Sequence, residues 1–544
     1  MDSPLNLATW ETELRNDKDQ DFLLDGLSNG FKILPATSDI TQVECDNYKS
    51  ATDPAHRGKV EAQLKEEMRK GNYELSRTKP AIVSALGAIP KKGSDDIRLI
   101  HDCSRPEGFA LNDYAEAERF SYQTLDDAVK MLQQGSYMAK IDLKSAYRSV
   151  PIHPSNHSAT GLKWRFDGDS EYSYLFDKRL PFGARLSPSI FDKLSQAVKR
   201  MMQRRGFHTI VVYLDDFLII GSTYDECLLA FQTLIDLLVR LGFEINWRKV
   251  TYPTQILTFL GVEINAVERT LSLPADKLDD LRTLLRETCG RKSVSKRELL
   301  SLLGKLNWAA RVVRGGRTFM RRLIDLSKTL RRPNHRAKLS HAARADIEWW
   351  ETFMKSFNGV SYFLVSEPIS AGQINTDTCD DGGAGFFNGD WFYINWTLDD
   401  PSLRECHINE KELFSILHAV RRWGPTWANK RVHVFADSDS AVCAINKGTS
   451  PSPAFMPHIR ELFWHSAANN FVLTAHHVKG SDNTLADALS RLTDPTCATR
   501  AKCELQQWHD QNKDVTRVEC DLPHVSTKTL SILPPQASWI AKHP

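Results

Sequence analysis

The sequence predicts a multidomain protein of mixed α+β and α/β class. Three observations carry that reading. The chain has 544 residues, several times the ~150 of an ordinary domain. Its composition is that of a globular protein, 41% hydrophobic and 25% charged. Strand and helix patterns alternate over two separate stretches, with a helical, basic stretch between them.

Taken in order, residues 1–75 form a polar N-terminal extension, in which the charged run Lys59 to Lys70 reads as a surface helix. The first alternating stretch spans 76–265. It opens with AIVSALGAIPKKGSDDIRLIHDCS, two β-rich runs around a polar, glycine-containing turn, which predicts a hairpin. Residues 266–367 are helical and basic. Between 286 and 338 there are 16 Lys and Arg against three acids, Glu287, Glu298 and Asp325. Ser295 and Glu298 have capping-box spacing and open an apolar period of Leu299, Leu302, Leu303 and Leu306. Trp349 and Trp350 follow on another helix. A second α/β pattern fills 368–494. Residues 495–544 are polar, contain Pro534-Pro535, and read as a linker or tail.

Composition excludes several classes. The net charge of +2 does not by itself announce a nucleic-acid partner, so local charge decides. None of the ten cysteines forms a C-x-x-C pair, which argues against a zinc ribbon. The N-terminus is acidic and lacks an apolar signal core. The longest apolar runs, such as Phe217 to Ile220, fall far short of a membrane span. The expectation is a soluble protein of the cytosol or nucleus with no membrane partner.

The chemistry gathers in two sets of acids. VVYLDDFLII places Asp215 and Asp216 between two apolar, β-branched runs, which reads as strand, tight turn, strand with both acids at the tip. A solvated Asp-Asp turn is the ordinary interpretation. Here the flanks are so apolar that the turn must sit against a core, where adjacent carboxylates repel and call for cations. MAKIDLKSAYRSVPI adds Asp142 at the end of another apolar strand pattern. Nucleotidyl transfer uses two Mg²⁺ roughly 3.5–4 Å apart, and magnesium favours a few carboxylates plus phosphate oxygens.

YLDD is similar to the Y-x-D-D box of reverse transcriptases. The resemblance implies a right-hand polymerase of fingers, palm and thumb. It makes Asp142, Asp215 and Asp216 the metal-holding catalytic acids. It makes Tyr147 the bulky side chain that screens the sugar 2′ position. LPFGARLSPSIF resembles the box lining the nucleotide pocket, through Pro181, Phe182 and Gly183, although some relatives carry Gln where Phe182 stands. Lys91, Lys92 and Arg98, followed by Asp102, resemble the fingers hairpin that grips the triphosphate. Basic side chains suit phosphate oxygens, although KKG alone would pass as a solvated turn. Lys249, in INWRKVTY, falls where the family has a lysine proposed to protonate pyrophosphate. FLGVEI, from Phe259, resembles the strand that positions the primer terminus.

The second set begins with Asp377 in INTDTCDDGGAGFF, after a short strand. HINEKELFSILHAV is helical, with an apolar stripe beside Glu412. VHVFADSDSAV ends a strand at Asp437, and AHHVKGSDNTLADALSRL holds His477 and Asp487. Singly, Asp437 would pass as a helix cap, Asp487 as a surface residue and His477 as a satisfied polar group. Together the order resembles the ribonuclease H fold. The resemblance implies that Asp377, Glu412, Asp437 and Asp487 hold two Mg²⁺ for hydrolysis of an RNA strand, with His477 assisting product release. Glu410 competes with Glu412, which is preferred because E-L before an apolar helical run is the family pattern. Thr378-Cys379-Asp380 departs from the small residues expected there.

The basic stretch then acts as thumb and connection, touching phosphates without regard to base sequence. Asn307 and Trp308 support that resemblance. The implied activity is RNA-directed DNA polymerisation with ribonuclease H action. The implied partners are an RNA template, a DNA primer, the RNA–DNA hybrid, deoxynucleoside triphosphates and other retroelement proteins. Mg²⁺, with Mn²⁺ as its substitute, would serve two per site. RLIHDCSRPEGFALND, YLDDF and ADALSRL resemble gypsy-type and, more closely, DIRS-like elements that use a tyrosine recombinase. Neither a D-[ST]-G protease motif nor an integrase zinc finger is found, so the expectation is one module of a longer polyprotein or a truncated copy. The rivals are a decayed or domesticated copy that only binds nucleic acid, and a DNA-templated or hepadnavirus-type polymerase. All seven acids are retained, which argues against decay.

Overall fold

The computed structural model describes residues 3–35, 40–91, 95–116, 120–313, 315–362, 374–428 and 430–512. The chain divides into two compact units, Met1–Leu257 and Thr258–Pro544. The border falls eight residues ahead of the expected boundary after 265, and 266–367 share a unit with 368–494.

In the first unit, the polar N-terminal stretch supplies α1 (Leu7–Glu13), α2 (Gln20–Asn29) and α3 (Pro54–Arg69). α3 is the helix expected from the charged run; Asp53 caps it and Pro54 occupies its first turn. The predicted hairpin is β1 (Ala85–Pro90) and β2 (Ile97–Asp102), paired antiparallel from Ala85–Asp102 to Pro90–Ile97. Lys92, in its turn, lies outside the described residues. The central sheet uses β3 (Tyr137–Asp142), β4 (Ile210–Tyr213), β5 (Asp216–Gly221) and β6 (Thr251–Thr254), in the order β6-β3-β5-β4. Two helices contribute to the same core, α4 (Ser187–Arg204) and α5 (Tyr224–Arg240). Thr223 and Glu226 form a capping box that starts α5. Phe191, Phe217, Phe231 and Leu234 fill the core.

The first helices belong to that core as well. Trp10 is 0% exposed and donates its indole N–H to the Leu241 carbonyl at 3.1 Å. Leu14, Leu23 and Phe31 are buried in the same cluster. Arg200 on α4 reaches Asp17 and Asp19 at 2.7 Å each. Residues up to Leu34 are therefore an integral part of the unit, where the sequence suggested only a polar extension.

In the second unit, the basic stretch forms α6 (Ala275–Cys289), α7 (Lys296–Ala309), α8 (Arg321–Thr329) and α9 (His341–Ser356). The Ser295–Glu298 capping box forms, and Leu299, Leu302, Leu303 and Leu306 are all buried beneath the basic surface. Phe319 stacks on Trp349 at 3.8 Å. A five-stranded sheet follows, built from β7 (Ile374–Thr378), β8 (Gly382–Phe387), β9 (Asp390–Asn395), β10 (Arg431–Ala436) and β11 (Val472–His477). Its order is β9-β8-β7-β10-β11. β9, β8 and β7 run antiparallel, and β10 and β11 run parallel to β7. α10 (Ile408–Trp423) and α11 (Phe455–Asn469) share one core with the sheet. α12 (Thr484–Ser490) and α13 (Pro495–Gln511) join a second cluster, through Ala488, Leu489 and Ala501. Residues 495–511, expected to belong to a tail, are thus a helix of the domain. Its helical stripe of Ala498, Ala501, Leu505 and Trp508 is interrupted by polar runs, and only Ala501 of it is fully buried.

Among the described residues no helix is long and apolar enough to cross a membrane.

Candidate active sites

The first set of acids assembles at one end of the central sheet. β3 and β5 pair so that Asp142 and Asp216 stand directly opposite each other. Asp215 closes the turn before β5. Leu214 takes a left-handed conformation there (φ 54°), and its carbonyl accepts a hydrogen bond from the Ser195 hydroxyl at 2.8 Å. The Leu143 N–H donates to the Asp215 carbonyl at 3.0 Å, tying the two strands together beside the acids.

Asp142 is 5% exposed. It accepts hydrogen bonds from Asn246 Nδ2 at 2.9 Å and Lys249 Nζ at 3.1 Å. Asn246 was missed from sequence, although it lies three residues from Lys249 in the same motif. Burial pushes the Asp216 carboxyl up to about 6, and the charges of Asp215 and Asp142 add to the effect. Burial also raises Asp215, with Asp142 again adding. A cation would relieve that repulsion, although the three carboxylates do not meet within the 4.8 Å that joins the acids of the second set.

Tyr147 is buried between two rings, with centroids 5.0 Å from Phe182 and 5.2 Å from Phe191. Phe182 is 69% exposed, leaving its other face open. A Cβ at Gly183 would come within 2.6 Å of the His101 carbonyl oxygen, so only glycine fits. Lys91 and Arg98 are exposed on the hairpin. Lys91 lies 3.7 Å from Asp96. Asp102 is fixed by the Tyr48 hydroxyl at 2.5 Å.

In the second unit, carboxylate oxygens of Asp377, Glu412 and Asp437 lie within 4.8 Å of one another. Asp377 sits on the central strand β7, Glu412 on α10, and Asp437 immediately after β10. Glu412 is 2% exposed, and neither of its oxygens has a hydrogen-bond partner. A buried, unpaired carboxylate beside two more is costly unless a cation completes it. Burial, with the charges of Asp377 and Asp437, drives the Glu412 carboxyl well above its usual range. Burial also pushes Asp377 up to about 6, against a 2.7 Å hydrogen bond from the Ser490 hydroxyl. The competitor Glu410 instead faces His458 at 3.2 Å.

Two expected members stand apart from the three. Asp487 lies outside that cluster and is held by Arg491 at 2.8 Å and by Arg500. Burial opposes ionisation there, but the two guanidinium groups hold Asp487 below the usual carboxylate range. His477 is exposed at the end of β11, paired in register with Ala436 next to Asp437. The unexpected Thr378 and Cys379 are absorbed locally, by the Ser415 hydroxyl at 2.8 Å and the Ser490 carbonyl at 3.2 Å. Ser490 and Arg500 were not singled out from sequence. ADALSRL contains Ser490, but nothing near Arg500 marks it.

Residues 89–264 match the reverse transcriptase (RNA-dependent DNA polymerase) family. The Gag-Pol polyprotein of avian reticuloendotheliosis virus is 31% identical over 194 residues, 34% of this chain and 16% of that protein. The retrovirus-related Pol polyprotein from transposon 297 of Drosophila melanogaster is 22% identical over 451 residues, 80% of this chain and 38% of that one. The chain thus spans well under half the length of these relatives. Among solved structures, the foamy viral protease-reverse transcriptase dRH in complex with double-stranded DNA shares the fold. Its TM-score is 0.50 at 16% identity, covering 87% of this chain and 82% of that one. The foamy viral protease-reverse transcriptase in complex with an RNA/DNA hybrid also scores 0.50 at 16% identity, covering 88% and 63%.

Proposed function

We propose that this chain, which carries a reverse transcriptase domain of the kind found in retroviral and retrotransposon Pol polyproteins, is an RNA-directed DNA polymerase with ribonuclease H activity. The observation that carries the reading is the register of Asp142 opposite Asp216, with Asp215 at the adjoining turn and Lys249 on Asp142.

Asp142, Asp215 and Asp216 would hold two divalent ions, Mg²⁺ or Mn²⁺ in its place. Bound there, such ions lower the proton affinity of an attacking oxygen and neutralise charge on a leaving one. The protein's own groups do the rest. Lys91 and Arg98 bind triphosphate oxygens. Phe182 and Gly183 line the pocket. The Tyr147 ring occupies the space a 2′-hydroxyl would need. Lys249 Nζ carries a proton for departing pyrophosphate. In the second unit, Asp377, Glu412, Asp437 and Asp487 would hold the ions for RNA hydrolysis, and exposed His477 would help the product leave. The exposed cations of residues 286–338 would meet phosphates of the RNA template, DNA primer and their hybrid. RLIHDCSRPEGFALND, YLDDF and ADALSRL support a DIRS-like or gypsy-type origin, which makes other retroelement proteins its partners.

The test is extension of a labelled DNA primer on an RNA template with deoxynucleoside triphosphates. Extension in Mg²⁺ that a chelator abolishes is the expected result. Extension that survives the chelator would refute the metal-holding role of the three acids.

A further inference from the structure

Asp487 is the one acid of the second set paired with guanidinium groups, and α13 supplies one of the two. The side chain of Asp494 accepts hydrogen bonds from the N–H groups of Thr496 and Cys497, and Pro495 occupies the first turn, so the helix starts directly behind α12. Its apolar stripe of Ala498, Ala501, Leu505 and Trp508 packs on a cluster that includes Ala384, Phe386, Tyr393 and Leu489. Trp508 meets Phe386 edge-on at 5.3 Å. This seating fixes Arg500, the neighbour of fully buried Ala501, above α12.

Arg500 Nη2 pairs with Asp487 Oδ2, while Arg491 Nε takes Oδ1 at 2.8 Å. Arg500 also lies 3.9 Å from Glu504, which accepts a 2.9 Å hydrogen bond from Thr484 at the start of α12. Both Asp487 oxygens therefore face guanidinium groups, while the other three carboxylates face one another.

We propose that Arg500 is a positioning residue that withholds Asp487 from the three-carboxylate cluster until divalent ions draw it away. The proposal rests on the ribonuclease H reading. It makes α13 the element that sets how much metal the second site requires. The ion pair is partly exposed, with side chains 43% and 26% accessible. Pairs of that kind shift an equilibrium only a few-fold, weak enough for divalent charge to displace.

The test is Mn²⁺ binding by calorimetry on the full chain carrying Asp142→Asn and Asp215→Asn, which silences the first site. Arg500→Gln should tighten the apparent Kd roughly two- to five-fold and lower the Mn²⁺ needed for half-maximal RNA cleavage by the same factor. Arg500→Lys should retain the parent value. In an Asp487→Asn background, Arg500→Gln should change nothing. Unchanged or weaker Mn²⁺ binding in Arg500→Gln would overturn the proposal while parent binding and cleavage persist. If Glu412→Gln binds Mn²⁺ like the parent and neither cleaves hybrid, the ribonuclease reading itself fails.

Discussion

Tyr147 and Glu412 illustrate two ways a single side chain serves a site. The Tyr147 ring is buried, with the Phe182 and Phe191 rings about 5 Å away, and it fills space a 2′-hydroxyl would need. Tyr147→Ala should lower discrimination against ribonucleotides by 10-fold or more, since a lost steric block is worth more than about 1.4 kcal/mol. Competition between ribo- and deoxynucleoside triphosphates in primer extension measures it. Glu412 has the opposite character, since its placement costs stability. The carboxyls of Asp377 and Glu412 are raised in the folded chain. Their contribution to stability is fully present below the unfolded value near pH 4 and is lost as pH rises through the folded value, about 6 for Asp377. In metal-free protein, Glu412→Gln should therefore stabilise the fold more at pH 7 than at pH 5. Glu412→Gln should raise the pH 7 melting temperature by several degrees, at about 2–4 °C per kcal/mol, while abolishing RNA cleavage. Thermal denaturation in chelator across pH 4.5–7.5 checks both statements.

At the scale of elements, the legible parts were those written in contiguous residues. The hairpin β1–β2, the Ser295–Glu298 cap and the acidic strand ends each announce themselves within a dozen positions. What stayed hidden depends on distant partners. Trp10 looks like a lone aromatic in a polar stretch, and its hydrogen-bond acceptor lies 231 residues away. Trp10→Ala should cost about 3–5 kcal/mol, because it empties a fully buried site. Chemical denaturation measures that loss, and deletion of α1 and α2 should cost at least as much. α13 escaped notice for a related reason. Its stripe of Ala498, Ala501, Leu505 and Trp508 is helical in spacing, but two of the four are alanines in an otherwise polar stretch, so the signal is weak. The positions of the acids could be named from sequence, but their partners could not. Asn246 and Lys249 on Asp142, Ser490 on Asp377 and Arg500 on Asp487 are all tertiary contacts. Glu412 over Glu410 was readable from its place before the apolar helical run, and only the fold shows that Glu410 is spent on His458.

At the scale of the whole molecule, the two carboxylate sites belong to different compact units, Met1–Leu257 and Thr258–Pro544. Each set of acids is built on its own sheet and closed by its own side chains. Chemical damage to one site should therefore leave the other working. The most direct measurement follows both reactions on one substrate, an RNA template labelled in one colour and annealed to a DNA primer labelled in another. The native chain should extend the primer and cut the RNA. Asp215→Asn should lose extension by at least a hundred-fold, in keeping with removal of a metal-holding group, and still cut the RNA. A native chain that binds the hybrid but extends nothing, or an Asp215→Asn chain that extends as well as the native one, would contradict the account.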